Sequence, residues 1–439
     1  MNILIITTYY PPDTGIAAVR PYMLAKYLTE FGHKVTVLRS GEFYNSASDF
    51  FDMDIPVRVI SYLGPDSPAE CYARGELKTI PVVESKSRIG FLPEVIRKPV
   101  AWLFNTCMRP IRFKQWQEGF AHKTEKQKAV LDSLRDEHFD VVFSSFGEQE
   151  NIAAGQYAKE LFQCKLIQDF RDPLARTLFY GKKHLRYLKK IQDDAIARAD
   201  GVTVVSEDLR QEMMKGIDAA TPSITLYNGY EPSTTQSEAV VASGVFSICY
   251  TGAVYGKHDD FTPLLRALVQ LSGEGRVDLS KVRLVIAGRG FDILLETAQE
   301  LGIIDIVDNR GYVSRAEAER IQNTSDLFLV LTWNRKDSQG ILSGKFYEGI
   351  RAGKPILALI TGDLPNSELN VLNEEYRYGF CYEACREKEQ FDDLCEFLAK
   401  AYDEKMRFGK VCYEVNPRME KKFRYDNIAK QLEDFIQTI

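Results

Sequence analysis

Short apolar runs alternate along this chain with segments whose apolar residues return every three or four positions, and each pattern predicts its own element. The first run, 3–7, reads as a strand and enters a loop through Pro11, Pro12 and Gly15. A helix follows, with Met23, Tyr27 and Phe31 on one stripe and Leu24 and Leu28 beside it. Pro21 fits that helix only near its first turn, because an interior position needs the N–H that proline lacks. Gly32 ends the helix and 35–38 makes the next strand, giving a right-handed β-α-β opening. Its first loop lies on the side where open α/β sheets bind ligands. The alternation breaks at 63–126. It resumes with strands at 141–145, 166–169 and 201–206 and helices near 151–161 and 184–199.

A polar run at 233–238 reads as a linker, and the alternation then starts again. Strands are predicted at 246–250, 282–287, 327–332 and 356–360, with helices through Leu264, Leu265, Leu268 and Leu271 and from about Ser314. Phe423, Ile428, Leu432 and Phe435 mark a last amphipathic helix. The pattern predicts an α/β protein of two domains, 1–235 and 236–415, with a terminal helix within 416–439.

The most informative stretch is 340–359. It follows a buried strand and a polar loop, Trp333 to Gly340. Ser343 and Gly344 open a short helix whose first turn exposes backbone N–H groups. Gly353 stops it, and Pro355 leads into the next strand. Such a helix start suits an anion, phosphate above all. Lys345 and Glu348 lie three apart and share a face. A cation for phosphate and a carboxylate for sugar hydroxyls suggest a nucleotide ligand; the alternative is an ordinary α/β crossover with a charged turn. The dinucleotide fingerprint Gly-x-Gly-x-x-Gly is absent from the first β-α unit.

Bulk properties narrow the class. The 439 residues exceed one ordinary core. A net charge of −6 argues against a nucleic-acid partner. No apolar run is long enough to span a bilayer, and the first residues lack the basic region of a leader peptide. The eight cysteines form no Cys-x-x-Cys pair and the five histidines no ligand-spaced cluster, so reduced thiols and no metal are expected. Between Lys86 and Lys114, seven Lys and Arg face only Glu94, with Trp102, Phe104 and other apolar residues interleaved. This insertion either lies on an anionic membrane surface through about 86–116 or packs on its own domain. Pro93, Pro99 and Pro110 prevent one continuous helix.

Gly344-Lys345-x-x-Glu348 followed by Ala352-Gly353-Lys354-Pro355 resembles the donor-binding segment of retaining glycosyltransferases of family four, which have the GT-B fold. The opening unit, with its Pro-Pro, Gly15, Arg20 and the 32–35 turn, and the loops at 166–173 and 246–257 resemble the same family. The resemblance implies two Rossmann-like domains facing a cleft, with the terminal helix crossing back to the first. It implies retaining transfer of a hexose-type sugar from a nucleotide-diphosphate donor, without a metal cofactor, by a front-face mechanism. The acceptor would be a glycan or lipid-linked sugar in bacterial surface-polysaccharide assembly. The protein would then be cytoplasmic, docking at the inner face of the plasma membrane.

By the same resemblance Glu348 binds the ribose, Gly15 lets its loop approach the donor phosphates, and Val313 presents backbone groups to the base. Lys257, beyond Gly252, would hold the leaving phosphate, and Ser343, Gly344 and Lys345 would assist. The arginine usual before Lys257 is missing; Arg289 either replaces it or is a solvated loop residue. The family often has a second glutamate eight residues before Glu348, where this chain has Gly340, with Gln339 as the available substitute. Arg171 and Asp172, catalytic candidates together with Lys257, stand where relatives have His-Asp on the acceptor side; the other reading is a structural ion pair fixing that loop. His33 is read as a turn residue. Two rivals remain: a nucleotide-sugar epimerase of the same fold, and a nucleotide-binding subunit without turnover.

Overall fold

The computed structural model describes residues 1–13, 16–41, 55–63, 114–115, 117–146, 149–174, 182–217, 221–232, 244–254, 256–336 and 338–439. Gly15 and nearly all of the 86–116 stretch lie outside the described residues, and so does the membrane-docking expectation. The chain divides into two compact units. One comprises Met1–Val204, Met213–Thr225 and Ala429–Ile439, and the other Val205–Glu212 and Leu226–Ile428.

The first unit is built on a parallel sheet of β1 (Asn2–Ile6), β2 (Lys34–Arg39), β3 (Arg58–Ser61), β4 (Val141–Phe146), β5 (Lys165–Phe170), β6 (Gly201–Val204) and β7 (Ser223–Thr225), in the order β3-β2-β1-β4-β5-β6-β7. Parallel strands are covered on both faces, which is why β1 is apolar without alternation and Ile3 to Ile6 are fully buried. Leu4, Ile6, Leu38, Val142 and Leu166 pack with Leu131 and Ala154 into one of its core clusters. The first helix runs Ile16–Glu30, so Pro21 sits inside it, beyond the first turn where the pattern placed it. The carbonyl that Pro21 leaves without its helical donor is that of Ala17. Arg171 Nη1 donates to that oxygen at 2.7 Å, which removes the polar cost of an interior proline.

The second unit repeats the design with β8 (Phe246–Ala253), β9 (Val282–Arg289), β10 (Val307–Asn309), β11 (Leu327–Asn334), β12 (Ile356–Gly362) and β13 (Gly379–Glu383), in the order β10-β9-β8-β11-β12-β13. All neighbours are parallel. One face is covered by the cluster around Leu264, Leu268, Leu284 and Leu398. The other is covered by Phe346, Ile350, Tyr378 and Phe423. The last helix, Tyr425–Thr438, carries a strong apolar stripe, and from Ala429 its residues belong to the first unit. There His33 Nε2 meets Glu433 Oε1 at 2.9 Å, a structural position like that expected of a turn residue.

The unit boundaries differ from the linear ones drawn at 235 and 415. The 205–212, 226–235 and 416–428 segments fall within the ranges of the second unit. Hydrogen bonds join the last two of these segments. Tyr230 N–H donates to the Phe423 carbonyl at 3.0 Å, and Tyr425 N–H donates to Tyr230 at 3.2 Å. Among the described residues, no helix is long and apolar enough to cross a membrane, and no group of three His, Cys, Asp or Glu is placed to hold a metal ion. Cys249 is buried, and burial pushes its thiol up to about 12, far from thiolate chemistry.

Candidate functional site

A parallel sheet opens a crevice where its strand order reverses, and in the second unit that point lies between β8 and β11. Near the end of β8, Thr251-Gly252 lie in register with Ala287-Gly288 of β9. Beyond β11 the helix Gly344–Arg351 begins at the Ser343 N-cap. Lys345, in its first turn, places Nζ 5.2 Å from the centre of the Tyr250 ring. Gly252 makes this approach possible. Its φ is +139°, and a Cβ there would stand 2.6 Å from Lys345 Cε and 2.7 Å from Nζ. The lysine therefore lies directly on the strand end, beside the free N–H groups of its own helix.

One turn on, Glu348 borders a cavity of about 250 Å³ that is also lined by Gly252, Gly288, Val313, Gln322 and Arg351. Glu348 Oε2 accepts from Gln322 Nε2 at 2.8 Å, and the same nitrogen donates to Thr251 Oγ1 at 2.7 Å. Gln322 Oε1 accepts from Arg351 Nη2 at 2.6 Å. Arg351 Nη1 and Arg315 Nε both reach Glu319 Oε1, at 2.7 and 3.1 Å. Burial raises the Glu348 carboxyl above the ordinary carboxylate range, while Arg351, Lys345, Arg315 and the Gln322 bond pull it back. Tyr312, at the edge of the same cavity, is 92% exposed.

Ser343 leaves its Oγ buried without a hydrogen-bond partner. Gly340 is the position where the resembled family often carries glutamate. Its φ is +69°, and its carbonyl accepts from Ser206 Oγ at 2.8 Å. A Cβ there would fall 2.6 Å from that Oγ and 2.7 Å from the Leu209 nitrogen, so the missing side chain has no room in this backbone. Gln339, its neighbour, is half-buried. Arg289 is exposed at the end of β9. Lys257 belongs to the short turn Gly256–His258, and its side chain lies outside the description.

Arg171 and Asp172 belong to the first unit, just beyond β5. Asp172 is exposed, and Arg171 serves the Ala17 carbonyl. A buried ion pair does organise this region, and it lies between Arg20 and Asp169. Arg20 Nη2 and Nε donate to the two Asp169 oxygens at 2.7 and 3.2 Å. Ser145 and Thr203 hydroxyls donate to the same carboxylate at 2.9 and 2.7 Å.

The predicted residues Gly252, Val313 and Glu348 thus meet around one cavity, with Lys345 packed against Gly252. Gln322, Arg351, Arg315 and Glu319 were not anticipated. Their signal was present: Arg315, Glu319 and Gln322 recur at helical spacing, and Arg351 follows Glu348 by three.

No family model matches the chain, and no curated protein matches it. Solved structures do. Sucrose-phosphate synthase from Thermosynechococcus elongatus is similar over 100% of this chain and 98% of its own, with TM-score 0.61 and 12% identity. Anabaena HepE in complex with UDP and glucose is similar over 100% of both chains, with TM-score 0.59 and 13% identity. A Listeria monocytogenes protein assigned as a UDP-N-acetylglucosamine 2-epimerase is similar over 100% of this chain and 96% of its own, with TM-score 0.52 and 13% identity. At these identities the likeness establishes the fold. It is the GT-B class, with one Rossmann-like sheet in each unit.

Proposed function

We propose that the chain is a retaining glycosyltransferase of the family-four type, which takes a sugar from a UDP-class donor and passes it to a glycan or lipid-linked acceptor. The observation that carries this reading is the half-buried carboxylate of Glu348 beside a cavity at the strand-order reversal, with Lys345 one turn earlier against Gly252. A carboxylate that accepts from ribose hydroxyls and a cation with helix N–H groups for phosphate are the two halves of a nucleoside-diphosphate site. The nucleotide bound in the Anabaena structure of like fold supports the choice of UDP.

The chemical task is to stabilise charge on the leaving β-phosphate as the sugar becomes cationic. Lys257, Lys345 and the N–H groups behind Ser343 would do this, with Arg289 as a further cation, so the reading needs no metal. Arg171 and Asp172 are assigned to the acceptor side, and basic residues of the 86–116 insertion to reversible docking on an anionic membrane surface. Gly340 favours a second reading, a nucleotide-binding subunit without turnover, because the family's additional glutamate cannot be housed there. Hydrolysis of UDP-sugars by the purified protein separates that reading from an enzyme. Conversion of the donor without an acceptor would mark an epimerase instead.

The test of the site is calorimetry with UDP. Glu348→Ala should weaken binding by about 1.5–3 kcal/mol through loss of a charge-assisted hydrogen bond, with the fold intact. Unchanged affinity would remove Glu348 from the nucleotide site.

A further inference from the structure

Glu348 sits on one helix, Gln322 on another and Thr251 on a strand, and a single side-chain amide joins all three. The orientation of that amide follows from its neighbours' chemistry. A carboxylate only accepts, so the Gln322 nitrogen must face Glu348. A guanidinium only donates, so the oxygen must face Arg351. The observed contacts obey both requirements, and Gln322 is only 2% exposed. Its two N–H hydrogens go to Glu348 and Thr251, and its oxygen goes to a cation that Glu319 anchors in turn. No other rotation of the amide satisfies these partners, so the Glu348 carboxylate is held in one direction. With one oxygen occupied, the second is left for a ligand hydroxyl.

We propose that Gln322 is a positioning residue for the donor ribose: it touches no substrate itself, and it fixes the Glu348 carboxylate in the direction that accepts the ribose hydroxyls. The inference rests on the reading of the cavity as a nucleotide site. Pre-organisation of this kind acts on affinity by removing the cost of immobilising the acceptor when the ligand arrives. A long, half-buried glutamate without that partner keeps rotameric freedom, and it also loses a donor that favours its ionised form.

The experiment compares UDP with 2′,3′-dideoxy-UDP by calorimetry, in the wild-type chain, Glu348→Ala, Gln322→Met and Gln322→Glu. The ratio of the two affinities isolates the ribose hydroxyls, because base and phosphates are common to both probes. The wild type should prefer UDP by roughly tenfold or more, the scale of a charge-assisted hydrogen bond. That preference should collapse in Glu348→Ala and in both Gln322 variants, while affinity for dideoxy-UDP stays within about threefold of wild type. Gln322→Glu keeps the side-chain shape and serves if the Met variant does not fold. A purely structural role would weaken both probes together and overturn the proposal. So would a preserved preference in the Gln322 variants beside its loss in Glu348→Ala, and in that case the nucleotide reading survives. No UDP binding by the wild type, or an undiminished preference in Glu348→Ala, overturns the ribose assignment and the proposal with it.

Discussion

Replacing Glu368 by glutamine should remove a pH dependence from the stability of the second unit. Glu368 is 5% exposed at the start of the helix Glu368–Tyr376. Its carboxylate accepts from Glu207 N–H at 2.9 Å, Asp208 N–H at 3.1 Å and the Tyr227 hydroxyl at 2.8 Å, all within that unit. Two effects compete. Burial disfavours the charged form and Asp208 repels it, whereas the three donors favour it. Burial wins, and the carboxyl is pushed from its ordinary 4.5 up to about 7. The folded chain therefore keeps this proton to higher pH than the unfolded chain does. Stability is greatest below the unfolded value and falls as pH rises from 4.5 to about 7. At about 1.4 kcal/mol per pH unit, the interval amounts to roughly 3 kcal/mol. Glutamine keeps an acceptor oxygen and the volume but does not titrate. The stability difference between wild type and Glu368→Gln should thus move by roughly 3 kcal/mol in the variant's favour across that window. Native-state hydrogen exchange of second-unit peptides over a pH series measures it. A flat difference would refute the reasoning. A difference moving the other way would mean that the three hydrogen bonds outweigh desolvation.

Two further outcomes concern packing. Arg20→Met leaves the Asp169 carboxylate buried without its cation and should cost the first unit about 3–5 kcal/mol, read by exchange of β1, β4 and β5 amides; an unchanged protection pattern would discount the pair. Gly340→Glu restores the family's carboxylate in sequence only. It should destabilise by about 1–3 kcal/mol or more from the left-handed backbone and the contact with Ser206, without raising sugar transfer, and a more active variant would contradict this account.

Local order was written in the chain because periodicity is a local property. The buried runs at β1, β4, β8 and β11, the stop at Gly353 and the Ser314 cap are each specified by neighbours within one or two turns. The stretch from Ser343 to Glu348 could likewise be read as an anion-binding turn with a cation and a carboxylate on one face, because helical spacing alone sets that geometry. What tertiary structure decided are the partners. Gln322 reaches Glu348 across 26 residues and Thr251 across 71, and no local pattern pairs an amide with a carboxylate at such distances. The buried ion pair of this region joins Arg20 and Asp169, which lie 149 residues apart on a helix and a strand that only the fold brings together. Arg171 satisfies the carbonyl that Pro21 strands in a helix 154 residues away in separation from its donor. Gly340 shows the same limit from the other side. Its sequence records a missing glutamate, and only the approach of Ser206 and Leu209 explains why no side chain can stand there.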